Sequence, residues 1–436
     1  MVQNMKKVGI VICNYNKCSE VLACIESVLG SDFKDFDLFV VDNASTDGSS
    51  KAITEKYKKD QLTLIQNQEN LGGSGGFNTG IRKLYHLGYE YIMCLDNDII
   101  LDRKAIEELY HFMEEHTEVG ITGSKVYHTE APEYIQQFGL NIDFDCYCAK
   151  TLYADCYDNE TIPEIVYCDT VATCSVMVRR EVIEKVGIMP EENFIYWDDM
   201  EWGYCIGQAG YKVAAYGKSK AWHRMGAMQI GKSSFVNYYL WRNQIHFFMK
   251  FTPKEKVENM SLHILQKVFD ALYESLYRNQ HNSMNTIRYA FDDALHIVRG
   301  KAEGYKILEQ VEEEHRLKKI ALGIKKFFIE ENEYKENAQY IEELLLNANP
   351  VLIRVEKQEE ADVIFSMSDY IMQVKEREKE KIYIDNYMNI LENEDDMLLV
   401  KNYKFSKTLF LYMNQNIFLD TVDKVQNIRD ANKYRA

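Results

Sequence analysis

Apolar and polar positions alternate in blocks over roughly the first third of the chain. Short apolar runs at Val8–Ile12, Leu38–Val41, Leu62–Ile65 and Tyr91–Leu95 read as buried strands. Between them the stretches near Ser19–Leu29, Ser49–Lys58, Gly76–Leu87 and Arg103–Glu115 carry helical spacing. This strand-helix alternation predicts an α/β fold, with a parallel sheet covered on both faces, because each parallel crossover needs a connecting element to return the chain. Val119–Gly123 continues as a strand, Tyr127–Asp169 is irregular and rich in Tyr, Cys and Asp, and Thr170–Val178 and Arg180–Val186 read as a strand and a short helix. Loops as long as that irregular stretch usually carry function.

After Lys250 the texture changes. Lys254–Gln310 reads as helix with Pro253 before it, and from about Ala348 short β-like runs return at Val351–Val355, Val363–Met367 and Lys381–Ile384. The charge run Lys375–Lys381 reads as a solvated helix face. We therefore expect three units: an α/β domain over 1–250, a helical segment over 251–345 and a small α/β or mixed accessory domain over 346–436. The tail is expected to pack on the first domain, to shape the acceptor side or to mediate self-association.

Composition narrows the classes. A chain of 436 residues exceeds one ordinary core. Its net charge of −17 disfavours nucleic acid as a partner, since phosphate binding needs clustered cations. The apolar run before Asn14 is too short for a signal peptide or spanning helix, so a cytosolic location is expected. All ten cysteines fall between Cys13 and Cys205 without a CxxC pair, which favours reduced thiols over zinc or disulfides.

The candidate chemistry sits at strand ends. In Tyr91–Asp98 an apolar run leads into Asp96 and Asp98, two carboxylates at the carboxyl edge of a strand, where α/β sheets place ligands. Such a pair offers hard oxygen ligands to a divalent cation that neutralises a phosphate-bearing substrate. Asp42, at the end of the second strand, is suited to accept hydrogen bonds from a base or ribose. Asn70–Gly80 contains four glycines in five positions, Gly72, Gly73, Gly75 and Gly76, which would let a loop backbone approach a diphosphate; without a following GK[ST] it is not a Walker loop.

Six motifs in order, Tyr15-Asn16, VDNASTDGS from Val41, NLGGSGGFNTG from Asn70, the triplet Asp96–Asp98, WDDMEW at Trp197–Trp202 and WHRMG at Trp222–Gly226, resemble glycosyltransferase family 2 over about residues 6–250. The resemblance implies a GT-A, Rossmann-like nucleotide-sugar-binding fold and a metal-dependent inverting transfer of a sugar to a glycan or lipid-linked acceptor in cell-surface polysaccharide synthesis. Within the family the chain looks most like bacterial galactofuranosyl- and rhamnosyltransferases, so the implied donors are UDP-galactofuranose or dTDP-rhamnose. It lacks the Q-x-x-R-W motif of processive synthases. Carried over residue by residue, the resemblance implies donor contacts from Tyr15, Asn16, Asp42, Gly72, Gly73, Asn78 and Asp96, and a Mn²⁺ or Mg²⁺ site of Asp96, Asp98 and His223. Asp199 is implied as the base, with Asp198 and Glu201 in support. Trp197, Trp202 and Trp222 read either as a face for a sugar ring or as core aromatics. Ser234–Lys250 reads as an amphipathic helix whose aromatic flank either packs in the core or meets a lipid-linked acceptor at the membrane face. A reading from another class is a catalytically silent nucleotide-sugar-binding or assembly subunit, which the four acids Asp96, Asp98, Asp199 and Glu201 disfavour.

Overall fold

The computed structural model describes residues 6–224, 234–310, 316–330 and 335–433, so Met225 and Gly226 of the WHRMG motif lie outside the described residues. The chain opens β1 (Val8–Asn14), α1 (Cys18–Leu29), β2 (Phe36–Asp42), α2 (Ser49–Lys56), β3 (Thr63–Gln66), α3 (Gly72–Leu87) and β4 (Tyr91–Asp96). Next come β5 (Ile99–Leu101), α4 (Ala105–Glu115), β6 (Val119–His128), β7 (Ile135–Gln137), β8 (Leu140–Asp143), β9 (Cys148–Thr151) and β10 (Ile165–Cys168). The unit closes with β11 (Ser175–Arg179), α5 (Arg180–Val186), α6 (Asp198–Gln208) and β12 (Lys212–His223).

The main sheet has the order β10-β12-β6-β11-β4-β1-β2-β3. Strands β1, β2, β3 and β4 are parallel, whereas β11 runs antiparallel between β4 and β6. Strands β1 and β4 read as unbroken apolar runs because helices cover both faces, and Val8, Ile10, Val11, Ile12 and Ile92–Leu95 are fully buried. The chain leaves β1 toward β2 on one side and pairs β4 on the other, which makes the carboxyl ends of β1 and β4 the switch point where open α/β sheets place ligands.

Helices α7 (Ser234–Phe251), α8 (Val257–Tyr277) and α9 (His281–Leu295) follow. Then α10 (Arg316–Gly323), β13 (Lys326–Glu330), α11 (Lys335–Ala348), β14 (Ile353–Arg354), β15 (Val363–Ser368), β16 (Lys381–Asp385) and β17 (Ile390–Leu391) lead to the 40-residue α12 (Glu394–Lys433). The tail strands form a separate sheet, β14-β13-β15-β16-β17. Helix α12 returns to the first unit, where Phe418, Val422 and Val425 join Phe247, Phe248 and Trp197 in one apolar cluster.

Two expectations need correction. The glycine-rich segment is not a loop: Gly72–Gly76 is the start of α3. It is helical because α3 lies so close to β1 that a Cβ on Gly76 would sit 2.4 Å from Cys13 Sγ, and packing overrides the low helix propensity of glycine. The run Lys375–Glu380 is not a helix, and Lys381 already begins β16. Of the two readings of α7, core packing is the one observed: Tyr238, Tyr239, Phe247 and Phe248 are buried in the interior. Among the described residues no helix is long and apolar enough to cross a membrane, and the ten cysteines form no disulfide.

Candidate active site

Backbone register builds the acidic cluster. Strand β5 pairs antiparallel with the end of β12, setting Ile99 opposite His223, and this places Asp98 beside the histidine. Strand β4 pairs with β1 so that Asp96 stands opposite Cys13. One ligand atom from each of Asp96, Asp98 and His223 lies within 4.8 Å of the others.

Second contacts define the protonation of His223. Gln136 Nε2 donates to the His223 carbonyl at 3.3 Å, which leaves Gln136 Oε1 facing Nδ1 at 2.7 Å, so Nδ1 carries a hydrogen. Nε2 then faces Asp98 Oδ1 at 3.1 Å. Two acceptors at that distance need a proton or a cation between them. Burial opposes charging of His223, but its hydrogen bond to Asp98 and the charges of Asp96 and Asp98 prevail and raise its pKa. Asp98 is likewise opposed by burial and nonetheless held below the ordinary aspartate range by His223 and by Lys17, whose Nζ pairs with Oδ2. Burial pushes Asp96 up to about 6, with the Asp98 charge adding to it. The donor set fits a divalent cation: two carboxylates, and an imidazole whose outer nitrogen is tied to an amide oxygen.

Beside this cluster a buried polar network joins three strand ends. Asn14 Nδ2 donates to Asp42 Oδ1 at 3.1 Å and Asn97 Nδ2 donates to Asn14 Oδ1 at 2.8 Å. Asp42 Oδ2 accepts from Ser50 Oγ at 2.7 Å and Ser45 N at 3.2 Å. Asn16 latches the neighbouring turn by accepting Thr46 N at 2.7 Å, and Tyr15 stands 44% exposed next to it. At the start of α3, Leu71 N and Gly72 N already bond Asn43 Oδ1 and Asn70 Oδ1. Of the two glycines expected at the donor, Gly72 has a φ of +77° and abuts Phe194 O, whereas Gly73 has ordinary clearance toward Ile195 and Asp198. Asn78 is fully buried and turned away, donating to Met189 O and Glu191 Oε1.

The second pair of acids comes from α6. Phe194, Tyr196 and Trp197, just before it, have φ of +68°, +62° and +65°, a strained backbone that surrounding contacts must hold. Helix α7 supplies the hold: Asn243 Nδ2 lies 2.9 Å from the carbonyls of Asn193, Ile195 and Tyr196, and the fully buried Arg242 bonds Asn193 O at 3.1 Å. Asp198 and Asp199 emerge partly buried at the first turn. Burial raises Asp199 to about 6, opposed by the backbone N–H groups of Met200 and Thr173 that its carboxylate accepts. Asp198 is raised further, to about 8, by burial and then by the Asp199 charge.

Glu201 is placed elsewhere. It is 4% exposed on the far side of α6, paired with Lys250 at 2.5 Å and accepting from Asn193, so it fastens α6 to α7. Trp202 is 2% exposed in the core with Nε1 bonded to Gly187 O, and Trp197 packs on Phe247 and Phe248. Trp222 is partly buried and stacks on Tyr127, with Nε1 bonded to Pro132 O. Lys17, Gln136, Arg242 and Asn243 were not singled out as site residues from the sequence. Lys17 alone carried a signal, as a cation directly after the Tyr15-Asn16 motif.

The fold is α/β, with the acidic cluster at the strand ends. Residues 9–187 match the model of glycosyl transferase family 2. The glycosyltransferase GlyA of Streptococcus pneumoniae serotype 4 is 27% identical over 161 residues, 37% of this chain and 22% of that protein. A poly-beta-1,6-N-acetyl-D-glucosamine synthase of Staphylococcus epidermidis is 26% identical over 103 residues, 24% of each. The matched region thus spans less than a quarter of these relatives' length. Among solved structures, GalNAc-T7 with UDP, GalNAc and Mn²⁺ covers 60% of this chain and 51% of its own, at 15% identity and a TM-score of 0.49. S. aureus TarS 1–349 with UDP-GlcNAc covers 67% and 81%, at 15% identity and a TM-score of 0.44.

Proposed function

We propose that the protein is a metal-dependent glycosyltransferase that moves a sugar from a nucleotide-sugar donor to a glycan or lipid-linked acceptor in cell-surface polysaccharide synthesis. The observation that carries this reading is the convergence, at the strand ends of a region matching glycosyl transferase family 2, of the Asp96–Asp98–His223 cluster with the Asp198–Asp199 pair. Asp96, Asp98 and His223 would hold the cation, and a nitrogen among oxygen ligands favours Mn²⁺ over Mg²⁺. When bound, the cation supplies positive charge that stabilises the departing diphosphate.

The chain's own groups do the rest. Gln136 fixes the His223 ring, and Lys17 brings a second positive charge to the diphosphate side. Asp42, held by Asn14, Ser45 and Ser50, lies where the nucleoside enters. An acceptor hydroxyl must lose its proton as it attacks the anomeric carbon. Asp199 is the member of the acid pair suited to take it, because backbone N–H groups keep it ionised at neutral pH while Asp198 holds a proton. Asp198 then positions acceptor hydroxyls. UDP-galactofuranose and dTDP-rhamnose are the proposed donors, on the resemblance of the NLGGSGG and WDDMEW segments to those enzymes.

The test is nucleoside diphosphate release from UDP-, dTDP- and GDP-sugars with Mn²⁺, first without and then with candidate acceptors. Turnover of UDP-galactofuranose or dTDP-rhamnose above the other donors supports the reading. Absence of release from any donor favours the silent binding subunit.

A further inference from the structure

Helix α12 carries apolar side chains on two opposite sides. The inner side packs within the molecule: Phe410 meets Phe269 and Phe291, Tyr403 Oη donates to Asp270 at 2.5 Å, and Lys407 pairs with Asp270 at 3.0 Å, which lays the helix along α8 and α9. The outer side faces solvent. Leu398, Phe405, Leu409, Tyr412 and Met413 share it within about 100° of arc at 3.6 residues per turn, with Ile417 at the edge of the stripe, and these six residues are between 47% and 83% exposed. A helix lying on a core ordinarily turns a polar face to water, so a second apolar face calls for a second partner.

Area and charge select the occupant. Taking roughly 200 Å² for a whole side chain of this size, the six exposures leave about 700 Å² of surface along the stripe. That exceeds the patch of about 300–600 Å² ordinary on a monomer and approaches the ~800 Å² that each partner gives to a stable interface. Lys401 and Asp423 are both exposed and lie eleven residues before and after Tyr412. They stand on the same flank of α12, because the twenty-two residues between their positions make about six turns. A second α12 running antiparallel about Tyr412 therefore brings each Lys401 level with the Asp423 of the other copy, whereas a parallel pairing sets like charges side by side. A bilayer fits less well: the chain's net charge of −17, and Asp420 and Asp423 exposed on this helix, oppose anionic headgroups.

We propose that the protein forms a two-fold dimer through α12, the outer stripes of two antiparallel copies packing on each other with Tyr412 at the axis. Such a contact uses the same patch on both copies and closes on itself, so it stops at two chains. The two Tyr412 rings meet at its centre, where buried aromatics dominate interface energy, and the Lys401–Asp423 pairs lie at its rim and fix the direction.

The test is sedimentation equilibrium of the full chain at micromolar concentrations, with circular dichroism to confirm that each variant is folded. Wild type should sediment as a dimer. Tyr412→Glu puts a charge at the axis on the most exposed residue of the stripe, and it should raise the dissociation constant by about tenfold or more while the monomer stays folded. Lys401→Glu should loosen the dimer by about three- to tenfold, and adding Asp423→Lys to it should restore the wild-type constant, since the exchanged charges attract again. A wild type that stays monomeric, a dimer indifferent to Tyr412→Glu, or a double variant no tighter than Lys401→Glu would each overturn the proposal. Binding of a monomeric wild type to vesicles of anionic lipid, lost in Tyr412→Glu, would overturn it in favour of a bilayer surface.

Discussion

Replacing Asp199 by Asn separates the base from its neighbour. The change is nearly isosteric, and Asn Oδ1 can keep the 2.8 Å bond from Met200 N, so folding and donor binding should persist. The loss should fall on turnover, because an amide cannot accept the acceptor's proton; removing a general base costs about 10²- to 10⁴-fold. Burial raises both acids, and the Asp199 charge raises Asp198 further, so Asp199 is the member of the pair that ionises first. Wild-type activity should therefore fall as pH drops through 6, since the base is lost by protonation. The substitution also removes the Asp199 charge that raises Asp198, so the Asp198 pKa should fall in the variant. The assay is steady-state transfer from pH 5 to 9, with one donor and one acceptor, on Asp199→Asn and Asp198→Asn. Asp198→Asn should act mainly on acceptor KM. If Asp198→Asn is the dead enzyme and Asp199→Asn turns over normally, the assignment is reversed.

Gln136→Leu removes the acceptor that orients His223 and should weaken Mn²⁺ affinity by about 10- to 100-fold with little change in the fold, as read by metal titration. Gly76→Ala should destabilise the protein by about 1–3 kcal/mol, because the new methyl meets Cys13 Sγ, whereas Gly73→Ala, with 3.7 Å to Ile195, should be tolerated; denaturant melts of both variants check this.

The parts of the fold legible in the sequence were those written in local periodicity. The strands β1 and β4 are continuous apolar runs because both faces of the sheet are covered, and that burial leaves no polar alternation to confuse the reading. Helix α3 was misread at its start because four glycines oppose a helix locally. What decides is the close approach of β1 and the Phe194 segment, and that contact spans 120 residues between Ser74 and Phe194. The aromatic flank of α7 looked amphipathic because the sequence does not contain α9 and α12 as neighbours. For the site, Asp96 and Asp98 stood out as a charged pair ending an apolar run, while His223 entered only through motif order. Gln136 had no signal, since its role exists only where β7, paired with β6, brings it to His223 at the end of β12, 87 residues away. Glu201 and Trp202 share a motif with Asp199 but, within one turn, face the interior.

The central claim, a cation held by Asp96, Asp98 and His223 at the donor diphosphate, is tested most directly by following sugar transfer in EDTA and after Mn²⁺ is restored, for wild type and Asp98→Ala. The account predicts that EDTA abolishes wild-type transfer, that Mn²⁺ restores it, and that Asp98→Ala stays folded yet gains nothing from the metal. Full wild-type activity in EDTA, or normal Mn²⁺-stimulated transfer by Asp98→Ala, would contradict it.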